Sequence, residues 1–108
     1  MDLRDVAQLE RIPVQGPPGI PASMLTAYVN RCRASLPAAK AALERYDHGH
    51  LRVFGHQLKG TGRAYGIPGL TEMGLLIEGA AGRDDGAELR CQLVALEVYL
   101  GRLDILSD

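Results

Sequence analysis

The residues with the clearest chemical potential lie in one short run, His56-Gln57-Leu58-Lys59-Gly60-Thr61-Gly62. Read as a helix at about 100° per residue, the surrounding segment puts Leu51, Phe54, Leu58, Thr61 and Tyr65 on one stripe. His56 falls nearly opposite that stripe, on the side left to solvent. Arg52, Lys59 and Arg63 fall within about 60° of it, and Gly60 lies one turn on. An exposed imidazole has a reference pKa of about 6.5, so it is mostly neutral at pH 7 and nucleophilic without a base beside it. A ring among cations, next to a patch of bare backbone, suits a nucleophile that carries an anion and admits a large partner. Phosphoryl transfer asks for that much, since it depends mainly on alignment and charge stabilisation. Val53 flanks His56 as an exposed apolar contact or an edge of the core. Gln57 is a boundary residue, with a hydrogen bond to the ring as its functional alternative.

The elements that must position these groups follow from periodicity. Residues 2–11 give a short helix with a weak apolar face of Leu3, Val6 and Leu9 or Ala7. Residues 12–21, IPVQGPPGIP, are too rich in proline and glycine for regular structure, so 1–20 reads as an N-terminal arm or short helix. From residue 21 to 108 the chain reads as one four-helix bundle. Leu25, Tyr28 or Val29, Cys32, Leu36, Ala39, Leu43 and Tyr46 recur at steps of three and four, which predicts a helix over 22–46. Pro37 predicts a kink near 33–37 or two helices end to end. A turn at Asp47-His48-Gly49 precedes a helix over 49–65, which Gly66 and Pro68 stop. A third helix over 68–81 aligns Leu70, Met73, Ile77 and Ala80 or Ala81. Asp84 or Asp85 caps a fourth, with Leu89, Leu93, Leu96, Leu100 and Leu103 inward. No stretch of strict alternation predicts a strand. The fold class is all-α, an up-and-down bundle with short connections.

Several classes of function are disfavoured. Hydrophobic residues at 46% and charged residues at 23% describe an ordinary globular chain, and a net charge of −1 offers no basic surplus for nucleic acid. No apolar run approaches a membrane span, and the N-terminus has no signal-peptide pattern. Cys32 and Cys91 form no CxxC pair and read as reduced, partly buried thiols of a cytoplasmic protein. His48 and His50 invite a metal reading with His56. Residues 48 and 56 are about 12 Å apart along a helix, however, so no metal is expected. Tyr28, Tyr65 and Tyr99 read as packing. Six glycines, at 55, 60, 62, 66, 74 and 79, stand on helical ground. Some must permit close packing, but Gly60 faces outward, where packing cannot explain it. No Gly-rich ATP loop or Walker sequence is present, so autokinase activity is not expected.

At these residues the chain resembles the histidine-containing phosphotransfer (HPt) domain family of bacterial phosphorelays. The family's core pattern is roughly H-x-L-K-G-[ST], and HQLKGT matches it. The likeness extends to Tyr65-Gly66, to L-x-x-M-G-x-x-I-E-G-A-A over 70–81, to a last helix ending YLGRL, and back to residue 21. It stops at the Pro- and Gly-rich residues 12–21. The resemblance implies a phosphocarrier: His56 takes a phosphoryl group from a receiver-domain aspartate and passes it to another receiver. Only His56, Lys59 and Gly60 match the motif, whereas Arg52 and Arg63 come from helical geometry. The partners implied are receiver domains of response regulators or of a hybrid histidine kinase, with Mg²⁺ supplied by the receiver and no cofactor on the bundle. A monomer is expected, and the start at Met1 favours a free protein. Two alternatives are an HPt-like scaffold that binds receivers or kinases without carrying phosphate, and a small metal-binding bundle.

Overall fold

A computed structural model describes residues 3–108, with side chains from Asp5 onward. Along the chain run α1 (Leu3–Ala7), β1 (Ile12–Val14), α2 (Ala22–Glu44), α3 (His48–Ala64), α4 (Pro68–Gly82), α5 (Gly86–Arg102) and β2 (Leu103–Ile105). The four long helices pack as an all-α bundle around Leu25, Val29, Leu51, Leu70, Met73, Ile77, Leu89 and Leu96, all essentially without solvent exposure. Caps fix the helix starts. Asp47 accepts from the His50 amide at 3.0 Å to open α3, and Asp85, of the two candidate aspartates, accepts from Glu88 at 3.1 Å to open α5. Gly66, at φ +73°, supplies the left-handed turn after α3.

Helix α2 runs as one element through Pro37, so two helices end to end are not observed. Pro37 is exposed, so the backbone bond it cannot make faces water, which can satisfy the freed carbonyl. The end of α2 differs from the sequence reading. The inward set closes on Ala42, Leu43 is half-buried, and Tyr46 is 84% exposed in a left-handed conformation at φ +58°. The chain turns there, which breaks the helical period that had placed Tyr46 inside. Cys32 is buried and Cys91 exposed, and both are free thiols.

The chain ends depart most from expectation. Helix α1 stops at Ala7 rather than reaching residue 11; of its predicted apolar face, Val6 is buried, Ala7 and Leu9 are exposed, and Leu3 lies outside the described side chains. Two strands form where none was predicted. β1 and β2 pair in parallel, with Ile12 opposite Leu103 and Val14 opposite Ile105. Each strand has three residues, too short to show alternation, and the pairing joins opposite ends of the chain. Leu103 therefore belongs to a strand instead of α5. Arg11 pairs with Asp104, and Arg102 donates to the Leu9 carbonyl. The Asp108 carboxylate accepts from the Ala22 amide at 2.9 Å, capping α2 in place of Pro21, which has no side-chain acceptor.

Candidate functional site

The site is built on two buried faces of α3. Leu51 and Leu58 anchor one face in the core, with Phe54 and Tyr65 half-buried beside them. Thr61 on the same stripe is exposed, yet its hydroxyl hydrogen-bonds Tyr28 Oη at 2.7 Å, and the Tyr28 ring stacks on Tyr65 at 4.1 Å. Burial pushes the Tyr28 phenol well above its ordinary range, so it stays protonated there. The second buried face is made of glycine. Gly55 and Gly62 are covered by α4. A Cβ placed on Gly55 would lie 2.5 Å from the Glu78 amide nitrogen, and one on Gly62 would lie 2.8 Å from that of Thr71. From the other side, a Cβ on Gly74 would lie 2.4 Å from the Lys59 amide nitrogen. The two backbones touch along this seam.

That contact delivers Glu78 to His56. With its backbone against Gly55, the Glu78 side chain reaches the next residue, His56, and the residue one turn on, Lys59. His56 Nδ1 lies 2.7 Å from Glu78 Oε2, and Lys59 Nζ donates to Glu78 Oε1 at 2.8 Å. His56 remains 68% exposed, as its outward position on α3 predicted. Lys59, joined to the carboxylate, and then His56 hold the Glu78 carboxyl below its usual range, so it is ionised at neutral pH. An ionised carboxylate only accepts, so Nδ1 carries the proton, and in the neutral ring Nε2 is then the atom with the lone pair. Among the described residues Nε2 has no partner.

Gly60 is exposed with nothing within 4 Å of the position its Cβ would take, so the surface beside His56 is bare backbone. Arg52 and Arg63 are exposed on α3, and among the described residues neither forms an ion pair. Lys59 differs from the reading that put it on the solvent face with them. It is only 26% exposed and its ammonium is tied to Glu78, since the α3 backbone at Lys59 lies directly against Gly74 of α4. Val53 is 56% exposed, and Gln57 is exposed. Glu78, and not Gln57, holds the ring. His48 is taken by Asp84, with Nδ1 3.0 Å from its carboxylate. No cluster of His, Cys, Asp and Glu suited to a metal is found among the described residues.

Sequence reasoning missed Glu78 as a partner and Leu75 as surface. Leu75 is 54% exposed on α4, one turn before Glu78, at the edge of an open groove of about 600 Å³ that Lys59, Arg63, Pro68 and Thr71 also line. Small residues on both helices were the available sign of a close α3–α4 crossing. An acid following the core residue Ile77 was then the one to test against His56.

The family model for the Hpt domain matches residues 23–106 of the chain. No curated protein and no solved structure matches. No described helix is long and apolar enough to cross a membrane.

Proposed function

Because this chain belongs to the Hpt domain family, the histidine phosphocarriers of phosphorelays, we propose that His56 accepts a phosphoryl group from the aspartate of one receiver domain and passes it to another. The observation that carries the reading is an exposed imidazole whose Nδ1 is held by Glu78 at 2.7 Å, beside the bare backbone of Gly60. The fixed tautomer leaves Nε2 as the nucleophile, and the missing Cβ leaves room for the receiver's loops. Exposed Val53 and Leu75 give a docking partner apolar footing on either side. The receiver, from a response regulator or a hybrid histidine kinase, brings its own acidic pocket and Mg²⁺. The bundle supplies nucleophile, orientation and cations, makes no phosphohistidine from ATP, and works as a cytoplasmic monomer. A transfer profile against the receivers of the source organism tests this. Rapid labelling by one or two of them is expected, and none labelling the protein would overturn the reading.

Access and charge give separate predictions. Gly60→Gln fills the open surface beside the ring, so transfer should fall at least tenfold. Melting temperature should hold or rise slightly, since Gly is about 1 kcal/mol poorer than most residues inside a helix. A sharp loss of stability with normal transfer would show that Gly60 serves packing.

Arg52 and Arg63 act on the phosphate through water, so each alanine variant should slow transfer by less than about fivefold. Lys59→Ala should cost more, because Lys59 also neutralises Glu78. The triple variant should lose most and respond least to salt, which screens exposed charges over about 8 Å at physiological ionic strength. Rates at low and high salt decide it: equal slopes for wild type and triple variant would make the basic ring irrelevant.

A further inference from the structure

We propose that Glu78 is a positioning residue for the donating half of the reaction, keeping the proton on Nδ1 after His56 is phosphorylated so that the ring stays in its cationic, transfer-ready form. This rests on the phosphocarrier reading of His56 and goes beyond tautomer selection, which concerns only the unphosphorylated ring.

On acceptance, the Nε2 lone pair forms the N–P bond while the P–O bond to the donor aspartate breaks, and that electron pair leaves on the carboxylate. Nδ1 keeps its hydrogen, so the ring becomes a cation. On donation, the N–P bond breaks and its pair returns to Nε2. The next receiver's carboxylate oxygen takes the phosphoryl group, and the leaving group is neutral imidazole with its hydrogen on Nδ1. That is the tautomer Glu78 holds at the start. No proton moves in either direction. Had Nδ1 lost its proton in between, the leaving group would be imidazolate, a much stronger base and a poor leaving group. The acid lability of phosphohistidines expresses the same chemistry.

The geometry favours retention of the proton. An anionic acceptor 2.7 Å from Nδ1 stabilises the charged form of the ring. From α4 the charged group facing the ring is Glu78, and from α3 it is Lys59, bonded to the other carboxylate oxygen at 2.8 Å. Arg52 and Arg63 share the solvent side of α3. Among the described residues no other charged group bonds the ring or its carboxylate. Lys59 shares the Glu78 carboxylate with the ring, one oxygen to each.

Glu78→Gln separates the two roles. The amide oxygen of Gln can still accept from Nδ1, so the tautomer survives, but it is neutral and cannot hold the cation. Protein phosphorylated with phosphoramidate, a chemical donor that needs no receiver, would be followed by ³¹P NMR from pH 6 to 9. The signal from a His56→Gln control would be subtracted for the other histidines. At pH 8 the Glu78→Gln phosphoprotein should lose phosphate roughly tenfold more slowly than wild type, the difference between a charged and a neutral acceptor. The two should converge at pH 6, and Glu78→Asp should restore part of the fast decay. ¹⁵N spectra of the wild-type phosphoprotein should show Nδ1 protonated at pH 8, a measurement that does not depend on any variant folding. Equal decay of wild type and Glu78→Gln at every pH, a deprotonated Nδ1 in wild type, or no reaction of His56 with phosphoramidate would overturn the proposal. Failure of receivers to label His56 while these results held would instead sink the phosphocarrier reading.

Discussion

A His56→Gln protein should take no label from a phosphorylated receiver, a loss of transfer to background rather than a slowing. The phosphoryl group needs the Nε2 lone pair, and among the described residues no second nucleophile stands beside His56: Gln57 offers an amide, Lys59 is engaged by Glu78, and Gly60 offers only backbone. The fold should not notice. The ring is 68% exposed, and the hydrogen bond lost with it leaves Glu78 still paired to Lys59 at 2.8 Å. A surface change of this kind is worth about 0.5 kcal/mol or less. On the wild-type protein the label should be acid-labile and alkali-stable, as expected of phosphohistidine. Labelling of the His56→Gln protein at the wild-type rate, measured with helical content unchanged, would move the nucleophile elsewhere.

What the sequence made legible was local. The helical period of α3 put His56 outside and Leu51 and Leu58 inside, and Asp47 and Gly66 marked where the helix starts and stops. Gly60 could be told from the packing glycines because its direction matched that of His56 and not that of the core. Longer-range features were not legible. Glu78 lies 22 residues from His56, and its arrival depends on how closely two helices cross, a tertiary quantity that periodicity does not contain. The same crossing turns Lys59 from a solvent cation into one arm of an ion pair. The β1–β2 pairing was invisible because two strands of three residues, joined across the whole chain, have no local pattern to read. Tyr46 was misplaced because a helical period extrapolated past Glu44 carries no information about a left-handed turn.

The second large effect belongs to that crossing. Gly74→Ala should destabilise the protein by about 3 kcal/mol, a fall of roughly 10–20 °C in melting temperature for a chain of this size. A methyl group at this position would stand 2.4 Å from the Lys59 amide nitrogen, 2.7 Å from the Gly55 carbonyl oxygen and 2.8 Å from the Lys59 Cα. All three are backbone atoms of α3, so no flexible side chain can swing aside, and the helices must separate. Helix propensity runs the other way, since Ala is favoured over Gly by about 1 kcal/mol. The sign of the result therefore reports whether contact or propensity prevails. Separation also withdraws α4 from His56. In whatever fraction stays folded, the 2.7 Å hydrogen bond to Glu78 should lengthen, and ¹⁵N spectra should show the ring sharing its proton between Nδ1 and Nε2. Gly60→Ala is the matched control: it makes the same change on the same pair of helices, but into open space. It should hold its melting temperature and its tautomer. A Gly74→Ala protein as stable as that control, with Nδ1 still protonated, would mean that α4 is not held against α3 by bare backbone, and Glu78 would then need another means of reaching the ring.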